Sequence, residues 1–276
     1  MRDDYTRLKT EAVNPRTTGI DRMPTLEMVR VMNDENRRVP EAIDAELEHV
    51  AAAIDLIADA LRAGGHLIYV GAGTSGRLGV VDASECPPTF GVEHDLVRGI
   101  IAGGRGAMFR AVEGAEDNEA LGAAELVADG VAAGDVVVGL SAAGRAPYVL
   151  GALREAKRLG AATIGITCNP DSLLAPLCDV TIAPEVGPEV IAGSTRLGAG
   201  TAQKLVLNML STGAMIRLGY VRGNRMINVR PTNEKLRERA IHIIMELAEV
   251  DHGTAAQTLL DAGDSIPAAL TLLGVD

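Results

Sequence analysis

Aromatic side chains are scarce in this sequence of 276 residues, where they make up 2% of the chain and tryptophan is absent. A sugar ligand would therefore have to be held by polar groups, because few aromatic rings are available to stack on it. Hydrophobic residues still make up 47% of the chain, so the core has to be aliphatic. A chain of this length and composition can bury one large core with helical additions, or two small ones.

Long apolar runs and an excess of positive charge are also missing. The longest runs, such as residues 136–140, are far shorter than the ~18 residues of a membrane span, and residues 1–5 lack the apolar segment of a signal peptide. The formal net charge is -11. Nucleic-acid affinity comes largely from Lys and Arg that neutralise phosphates, so neither nucleic acid nor a membrane is predicted as a partner. One small phosphate held by backbone amides remains compatible with this charge.

Cysteine is rare, and the three that occur, Cys86, Cys168 and Cys178, have no metal-ligand spacing. This usage is typical of reduced thiols in a cytoplasmic protein, and it predicts neither a disulfide framework nor a metal site. The five histidines are scattered through the chain and form no catalytic triad or metal motif.

Short β-branched apolar segments alternate with helical segments through the middle of the chain. This alternation predicts an α/β fold with a doubly wound parallel sheet, flanked by N-terminal and C-terminal helices. The predicted strands are residues 67–70, 97–102, 136–140, 163–167 and 180–182, and the predicted helices include residues 119–128, 147–159 and about 195–218.

The two ends of the chain are predicted to be helical. The first ~20 residues form a polar arm, a short helix opens at Pro24, and a longer one follows Pro40 and stops at Gly64. Three short helical pieces follow Pro231 and end at Asp276. We therefore expect three parts: an arm with helices at 1–56, a sheet domain at 57–231 and a helical segment at 232–276.

The first glycine-rich loop, residues 71–76, follows the first strand and has the pattern GxGxxG. A dinucleotide site would need a second strand soon afterwards, but residues 77–88 have no strand character and Pro87-Pro88 is expected to break them. The loop therefore favours a monophosphate site, in which Gly73, Thr74 and Ser75 meet an anion at a helix start. A glycine turn without a ligand remains an alternative.

Two further loops follow the same logic. Residues 141–145 come after the strand at 136–140, so Ser141, Gly144 and Arg145 should reach the same crevice as the first loop. The third loop, residues 193–196, opens the long helix and offers Ser194 and Thr195. Helix capping by these two hydroxyls is an equally good explanation.

Four carboxylates are candidates for acid/base chemistry, which needs one protonated and one ionised group. Glu85 lies between Ser84 and a Cys-Pro-Pro sequence, a setting that we interpret as too apolar and rigid for a solvated glutamate. Glu113, Glu116 and Asp117 follow an apolar stretch and precede a helix. For Glu113 and Asp117, a favourable charge at the helix start is explanation enough. For Glu85 and Glu116, the local sequence fits a functional role and a structural one equally well.

Five segments strongly resemble N-acetylmuramic acid 6-phosphate etherases: residues 71–79, 82–89, 111–117, 200–212 and 232–236. The resemblance extends from about Thr10 to about Glu249. It implies a sugar-isomerase (SIS) fold of the flavodoxin-like type and a homodimer with residues of both chains at the site. It also implies cleavage of the lactyl ether of the sugar phosphate, giving N-acetylglucosamine 6-phosphate and D-lactate without cofactor or metal.

The resemblance also implies roles for individual residues. Glu85 corresponds to the acid that protonates the departing lactate and then activates water, and Glu116 to the base for the proton beside the open-chain aldehyde. Elimination and then hydration complete the reaction. The implied sugar-phosphate contacts are Gly73, Thr74, Ser75, Ser84, Ser141, Gly144, Arg145, Glu189, Ser194 and Thr195.

The chain departs from the family pattern at three positions. The usual serine and threonine of the second loop are replaced by Ala143 and Ala146, and a usual lysine by Gly198. Each lost hydrogen bond to a charged group costs about 1.5–3 kcal/mol, so substrate binding weakens unless Ser141 and Arg196 compensate. Two alternatives therefore stay open, a non-catalytic SIS-fold sensor of sugar phosphates and a lyase or isomerase for a related sugar.

Overall fold

A computed structural model describes residues 8–229, 231 and 233–275. Five parallel strands form one sheet in the order β2-β1-β3-β4-β5. Leu67 of β1 pairs with Val97 of β2 on one side and with Val136 of β3 on the other. The predicted strands are confirmed to within one residue at each end. The strands are β1 (Leu67–Gly71), β2 (Val97–Ile101), β3 (Val136–Leu140), β4 (Ala162–Ile166), β5 (Val180–Ile182) and a small antiparallel pair, β6 (Val221–Arg222) and β7 (Arg225–Met226).

Helices cover both faces of the sheet, which confirms the doubly wound α/β prediction. Side chains alternate between faces along each strand. Leu67 and Tyr69 therefore enter the core cluster that includes α2, α3 and α6, whereas Ile68 and Val70 enter the cluster with α4 and α5. The helices are α1 (Thr25–Asp44), α2 (Leu47–Arg62), α3 (Gly73–Phe90), α4 (Glu119–Ala128), α5 (Pro147–Leu159), α6 (Gly198–Arg217), α7 (Glu234–Ala248), α8 (His252–Asp261) and α9 (Ile266–Leu272).

The predicted helix boundary at Pro40 is wrong, because α1 continues through this proline to Asp44. A proline inside a helix removes one backbone hydrogen bond. Val39 and Ile43, four residues apart on one face, are each only 2% exposed, so their burial holds the helix together across Pro40. The chain breaks instead at residues 45–46, before α2.

The predicted break at Pro87-Pro88 is also wrong. Helix α3 contains both prolines in its last turns and ends at Gly91, which has φ 65 and donates its backbone N–H to the Pro87 carbonyl. Cys86 and Phe90 are buried at the end of the same helix and fix it against the core. Residues 73–90 therefore form one helix from the first glycine loop to beyond Glu85.

The N-terminal arm lies across the loop between β5 and α6. Thr10 is fully buried, Lys9 forms an ion pair with Glu185, and Thr17 Oγ1 donates to the Val190 carbonyl at 2.8 Å. These contacts hold the arm beside the carboxyl ends of the strands, where the predicted loops lie.

Three short C-terminal helices, α7 to α9, are present as predicted and share a hydrophobic cluster with Ile227 and Val229. Thr232 of the predicted boundary and of the family motif, residues 1–5 of the predicted N-terminus, and Asp276 lie outside the described residues. In the part of the chain that the structure describes, no helix is both long enough and apolar enough to cross a membrane.

Candidate functional site

A cavity of about 320 Å³ lies at the carboxyl ends of β1 and β3. The first predicted loop supplies one wall, the second supplies another, and the 3-10 turn at Ala115–Asp117 supplies a third. This is the edge at which ligands bind in open α/β sheets. Seven of the predicted site residues line the cavity: Gly73, Thr74, Ser75, Glu116, Ser141, Arg145 and Thr195.

Two helices begin at this cavity. Helix α3 starts at Gly73 and α5 at Pro147, and neither helix has a side-chain cap on its first amides. The start of a helix carries unpaired N–H groups and a partial positive charge. The cavity can therefore hold a small anion without many lysines or arginines.

Gln203 of α6 supports the first loop, and sequence reasoning did not single it out. The Ser75 hydroxyl, at the cavity wall, donates to Gln203 Oε1 at 2.8 Å. Gln203 is only 1% exposed, and its Nε2 has no hydrogen-bond partner among the described residues. The available signal in the sequence was a glutamine, Gln203, among the apolar residues of a helix. No nearby residue indicated that its partner is Ser75, more than a hundred positions earlier.

The second loop turns tightly over β4. Gly144 has φ +68, and a Cβ there would lie 2.3 Å from Ser172 Cβ, so only glycine fits this turn. The buried Ser141 hydroxyl accepts from the amides of Arg145 and Ala146 at 3.3 and 3.4 Å. Gly144 shapes the turn but does not line the cavity.

The positions that lack the family hydroxyls, Ala143 and Ala146, both line the cavity. Two of the three departures from the family pattern therefore fall on the cavity wall, and the third, Gly198, does not line it. Arg196, a possible compensating cation, is exposed and is not among the lining residues.

The third loop behaves differently from the capping interpretation. Thr195 lines the cavity and Ser194 does not, and neither side chain caps α6. The buried Glu189 carboxylate does so instead, accepting from the amides of Gly198 and Ala199 at 2.7 and 2.9 Å. Burial raises the pKa of Glu189, while these two amide hydrogen bonds act to lower it. Glu189 therefore lies next to the site, outside the cavity lining.

Three carboxylates line the cavity: Glu116 and Asp117, which sequence reasoning identified, and Glu11, which it missed. Glu11 comes from the arm, and its Oε2 lies 3.0 Å from the point where a Cβ on Gly193 would be. The arm carried no local signal of a site, because only its packing on the distant 183–195 loop brings Glu11 there.

The interpretation of Glu85 as a sheltered carboxylate is wrong for the single chain. Glu85 and Ser84 are exposed, because Asp82, Ala83 and Cys86 form the buried stripe of α3. Neither Ser84 nor Glu85 lines the cavity. At 1.5 Å per residue, Glu85 lies about 15 Å further along the helix than Ser75.

A second cavity, of about 190 Å³, adjoins the first and shares Ala72, Gly73 and Glu116 with it. Small residues form most of its wall, and Arg77 is the one basic residue that lines it in the described part of the chain. Glu116 thus lies between the larger cavity, where two helices begin, and the smaller one, whose wall contains Arg77.

The arrangement suits proton transfer on a small phosphorylated molecule. Helix starts and hydroxyls can hold the phosphate, and Glu116 can take or give a proton beside it. Over residues 8–229, 231 and 233–275, no group of three or more His, Cys, Asp and Glu side chains could hold a metal ion.

Comparison with known families agrees with this geometry. A family model described as the glucokinase regulatory protein N-terminal SIS domain matches residues 49–157, and a SIS domain model matches residues 116–213. The fold resembles phosphoheptose isomerases from Francisella tularensis (TM-score 0.57, 19% identity, 70% of this chain and 100% of that one) and Neisseria gonorrhoeae (TM-score 0.52, 20% identity, 69% and 98%). These likenesses confirm the SIS-type fold.

Sequence relatives are much closer. The N-acetylmuramic acid 6-phosphate etherase of Serratia proteamaculans is 58% identical over 98% of this chain and 91% of its own length. Those of Symbiobacterium thermophilum and Clostridium botulinum are 56% and 57% identical, over 98% and 87% of this chain and 90% and 80% of their own lengths. The resemblance in the sequence motifs is thereby confirmed, and the chain belongs to the N-acetylmuramic acid 6-phosphate etherase family.

Proposed function

We propose that this chain is a carbon-oxygen lyase that cleaves the D-lactyl ether of N-acetylmuramic acid 6-phosphate, giving N-acetylglucosamine 6-phosphate and D-lactate. The observation that carries the proposal is Glu116, a carboxylate on the wall of a cavity where two helices begin. Relatives more than half identical bear the etherase name, which supports the same activity here. The reaction belongs to amino-sugar catabolism and the recycling of peptidoglycan sugars.

The chemistry divides into elimination and hydration. Glu116 removes the proton from C2 of the open-chain aldehyde, the C3–O bond breaks, and Glu85 protonates the departing lactate oxygen. Water then adds to C3 of the unsaturated aldehyde and gives its proton to Glu85, while C2 regains a proton from Glu116. Each proton transfer contributes on the order of 10²–10⁴-fold in rate. In this scheme, both carboxylates end in the protonation state in which they began.

We place the phosphate in the larger cavity, against Thr74, Ser75 and Ser141, with Gly73, Arg145 and Thr195 completing the wall. Gly144 and Glu189 serve this site by holding the second loop and the start of α6. Ser194 stays a proposed sugar-phosphate contact from the same loop as Thr195, although it does not line the cavity of the single chain. No cofactor or metal takes part in the proposed scheme.

The working form in this proposal is a homodimer. Glu116 lines the cavity of one chain whereas Glu85 and Ser84 lie on an exposed face of α3, so one chain does not bring the two acids together. On the same face, Val81 is 50% exposed, which suits an interface. The exposed α3 face would meet the cavity of a second copy and complete two equivalent sites.

The experiment is lactate release from N-acetylmuramic acid 6-phosphate by the parent chain, Glu85→Gln and Glu116→Gln, with Glu119→Gln as the control. Glu119 is exposed, lies on α4 and lines neither cavity. Each catalytic variant should lose at least about 10²-fold in kcat, and the control should stay at the parent rate. Absence of lactate from the parent chain would overturn the proposal and favour a non-catalytic sugar-phosphate sensor.

Mixing the two inactive variants tests the homodimer. If each site takes Glu116 from one copy and Glu85 from the other, a mixed dimer retains one intact site, and about a quarter of the parent activity returns after subunit exchange. If both acids act within one chain, mixing restores nothing, and the shared site is rejected.

Two observations favour the sensor alternative: the changes at Ala143, Ala146 and Gly198, and the match of residues 49–157 to the glucokinase regulatory protein domain. The close relatives over nearly the whole chain weigh more and favour the etherase. We also propose a cytoplasmic location, consistent with three free cysteines, and no nucleic-acid partner. The division at 1–56, 57–231 and 232–276 remains our proposal for the domains.

A further inference from the structure

The second cavity differs chemically from the first. Among the residues that the structure describes, none that lines it carries a hydroxyl group, and alanines, glycines and Val112 form most of the wall. The charged residues of the lining are Arg77, Glu113 and Glu116. A phosphate dianion, which needs several donors, fits this wall poorly, whereas a small group with one methyl and one carboxylate fits it well.

Arg77 is positioned to receive such a carboxylate. Its Nε donates to the Met108 carbonyl at 3.1 Å, which ties the half-buried side chain to the 3-10 turn at Arg105–Met108. Among the described residues, Arg77 makes no ion pair and its two Nη atoms make no hydrogen bond. These nitrogens form a planar pair of donors that matches a carboxylate bidentately.

The position of Glu116 orients the substrate across the two cavities. The proposed reaction removes the C2 proton and breaks the ether at C3, the neighbouring carbon. Because Glu116 belongs to both cavities, a sugar phosphate held in the larger one can direct its C3 substituent into the smaller one. The substrate has two anionic groups. Counting described residues, the wall of the larger cavity contains one arginine, Arg145, and that of the smaller one contains Arg77.

We propose that the second cavity is the lactyl subsite, in which Arg77 pairs with the lactyl carboxylate and the small apolar wall takes the lactyl methyl. This inference rests on the proposed etherase function and names the residue that recognises the leaving group. Arg77 acts as a specificity residue that also offsets the repulsion between the lactyl carboxylate and the carboxylates of Glu113 and Glu116. Sugar phosphates without a lactyl group bind without its help.

The test compares ligands that differ at the 3-O position, with Arg77→Met and Arg77→Lys in the full-length chain. Arg105→Met is the matched control. Arg105 lies on the 3-10 turn that Arg77 contacts through Met108, but it does not line the second cavity. Arg77→Met should raise KM for N-acetylmuramic acid 6-phosphate about 10- to 100-fold with kcat within a few-fold of the parent. The KM of Arg77→Lys should lie between those of the parent and of Arg77→Met, because lysine keeps the charge and lacks the planar pair of donors.

Calorimetric binding in the Glu116→Gln background separates the carboxylate from the rest of the ligand. N-acetylglucosamine 6-phosphate and a neutral 3-O-isopropyl analogue should bind with the same affinity whether position 77 is Arg or Met. For N-acetylmuramic acid 6-phosphate, Arg77→Met should raise the Kd about 10- to 100-fold. An equal loss for all three ligands, or no loss for any, would overturn the subsite.

Failure of the etherase proposal gives a different result. In that case the parent chain releases no lactate, and the binding comparison alone still decides whether Arg77 recognises the 3-O carboxylate. If lactate release is normal and Arg77→Met leaves every affinity and KM unchanged, the etherase stands and the subsite falls.

Discussion

Glu189 holds the first turn of α6 through Gly198, whose backbone N–H donates to Glu189 Oε2 at 2.7 Å. A Cβ at position 198 would lie 3.1 Å from the same oxygen, so the absence of a side chain gives the carboxylate room. The replacement of the family's usual lysine by Gly198 is therefore accompanied by a carboxylate that serves the helix start. This geometry leads to the first two predictions.

Glu189→Ala should lower the free energy of unfolding by about 2 kcal/mol, because two amides at the start of α6 lose their side-chain acceptor. Urea unfolding measures the change. Glu185→Ala is the control, since Glu185 pairs with Lys9 at the surface and should cost less than about 1 kcal/mol. Equal losses in the two variants would contradict the capping role.

The stability contribution of Glu189 should depend on pH in a defined direction. Burial raises the pKa of Glu189 above the ordinary value of 4.5, despite the lowering effect of the Gly198 and Ala199 amides. The folded state therefore holds the proton more tightly than the unfolded state. The resulting stability is fully present below pH 4.5 and is lost as the pH rises through the raised pKa.

Urea unfolding of the parent and of Glu189→Gln, from below pH 4.5 to neutral pH, measures how the free energy of unfolding depends on pH. The variant, which cannot titrate at this position, should have a flatter profile than the parent. Identical slopes in the two proteins would show that Glu189 does not carry this proton.

Gly144→Ala should destabilise the fold by about 3 kcal/mol or more, because it combines φ +68 with a Cβ 2.3 Å from Ser172 Cβ. Gly130→Ala shares the positive φ, +81, but meets nothing within 4 Å, and should cost about 1 kcal/mol. Thermal unfolding of both variants separates the steric contact from the backbone conformation. Similar melting temperatures would mean that the loop yields easily around position 144.

Restoring the family hydroxyls should strengthen ligand binding. Ala143 and Ala146 line the cavity, so Ala143→Ser and Ala146→Thr should each tighten N-acetylglucosamine 6-phosphate binding by about 10-fold. The ligand-induced rise in melting temperature measures the affinity, because stabilisation grows with [L]/Kd. Ala123→Ser on α4, which lines neither cavity, is the control and should change nothing. Unchanged affinity in both loop variants would place the phosphate elsewhere.

The buried Asp82 should couple β1 to α6. Its carboxylate accepts from Tyr69 OH at 2.9 Å, from Asn208 Nδ2 at 2.7 Å and from Ser211 Oγ at 3.3 Å. Burial, followed by the nearby Asp82 charge, raises the pKa of Tyr69, so this phenol stays a donor.

Tyr69→Phe should cost about 1 kcal/mol of unfolding free energy and Asp82→Asn about 2–3 kcal/mol, because the new amide faces other donors. The double variant should cost less than the sum, since both changes remove the same hydrogen bond. Strict additivity in urea unfolding would contradict a shared network.

Local chemistry predicted most of the sheet. Short β-branched segments such as 136–140 form strands because a parallel sheet covered on both faces buries all of their apolar side chains. The alternation of these strands with helices predicts the doubly wound fold. The two predictions made at prolines were wrong for the same physical reason. The burial of Val39 and Ile43 beside Pro40 outweighs the lost helical hydrogen bond, and the burial of Cys86 and Phe90 does the same at Pro87-Pro88.

The loops of the site could also be predicted from the sequence, because glycine, serine and threonine after a strand indicate a turn into a helix. Contacts between residues far apart in the chain could not be predicted. Glu11 enters the cavity because the arm packs on the 183–195 loop, and Gln203 meets Ser75 because α6 packs on α3. Neither contact has any local signature.

The sequence by itself determined the strands, the glycine turns and the family, because each depends on a short run of residues and its neighbours. Only the tertiary structure decided which distant side chains meet. It brought Glu116 to the cavity wall, left Glu85 on the exposed face of α3, and joined a second cavity with Arg77 to the first. Such proximities follow from how helices pack on a sheet, and packing is a property of the whole chain.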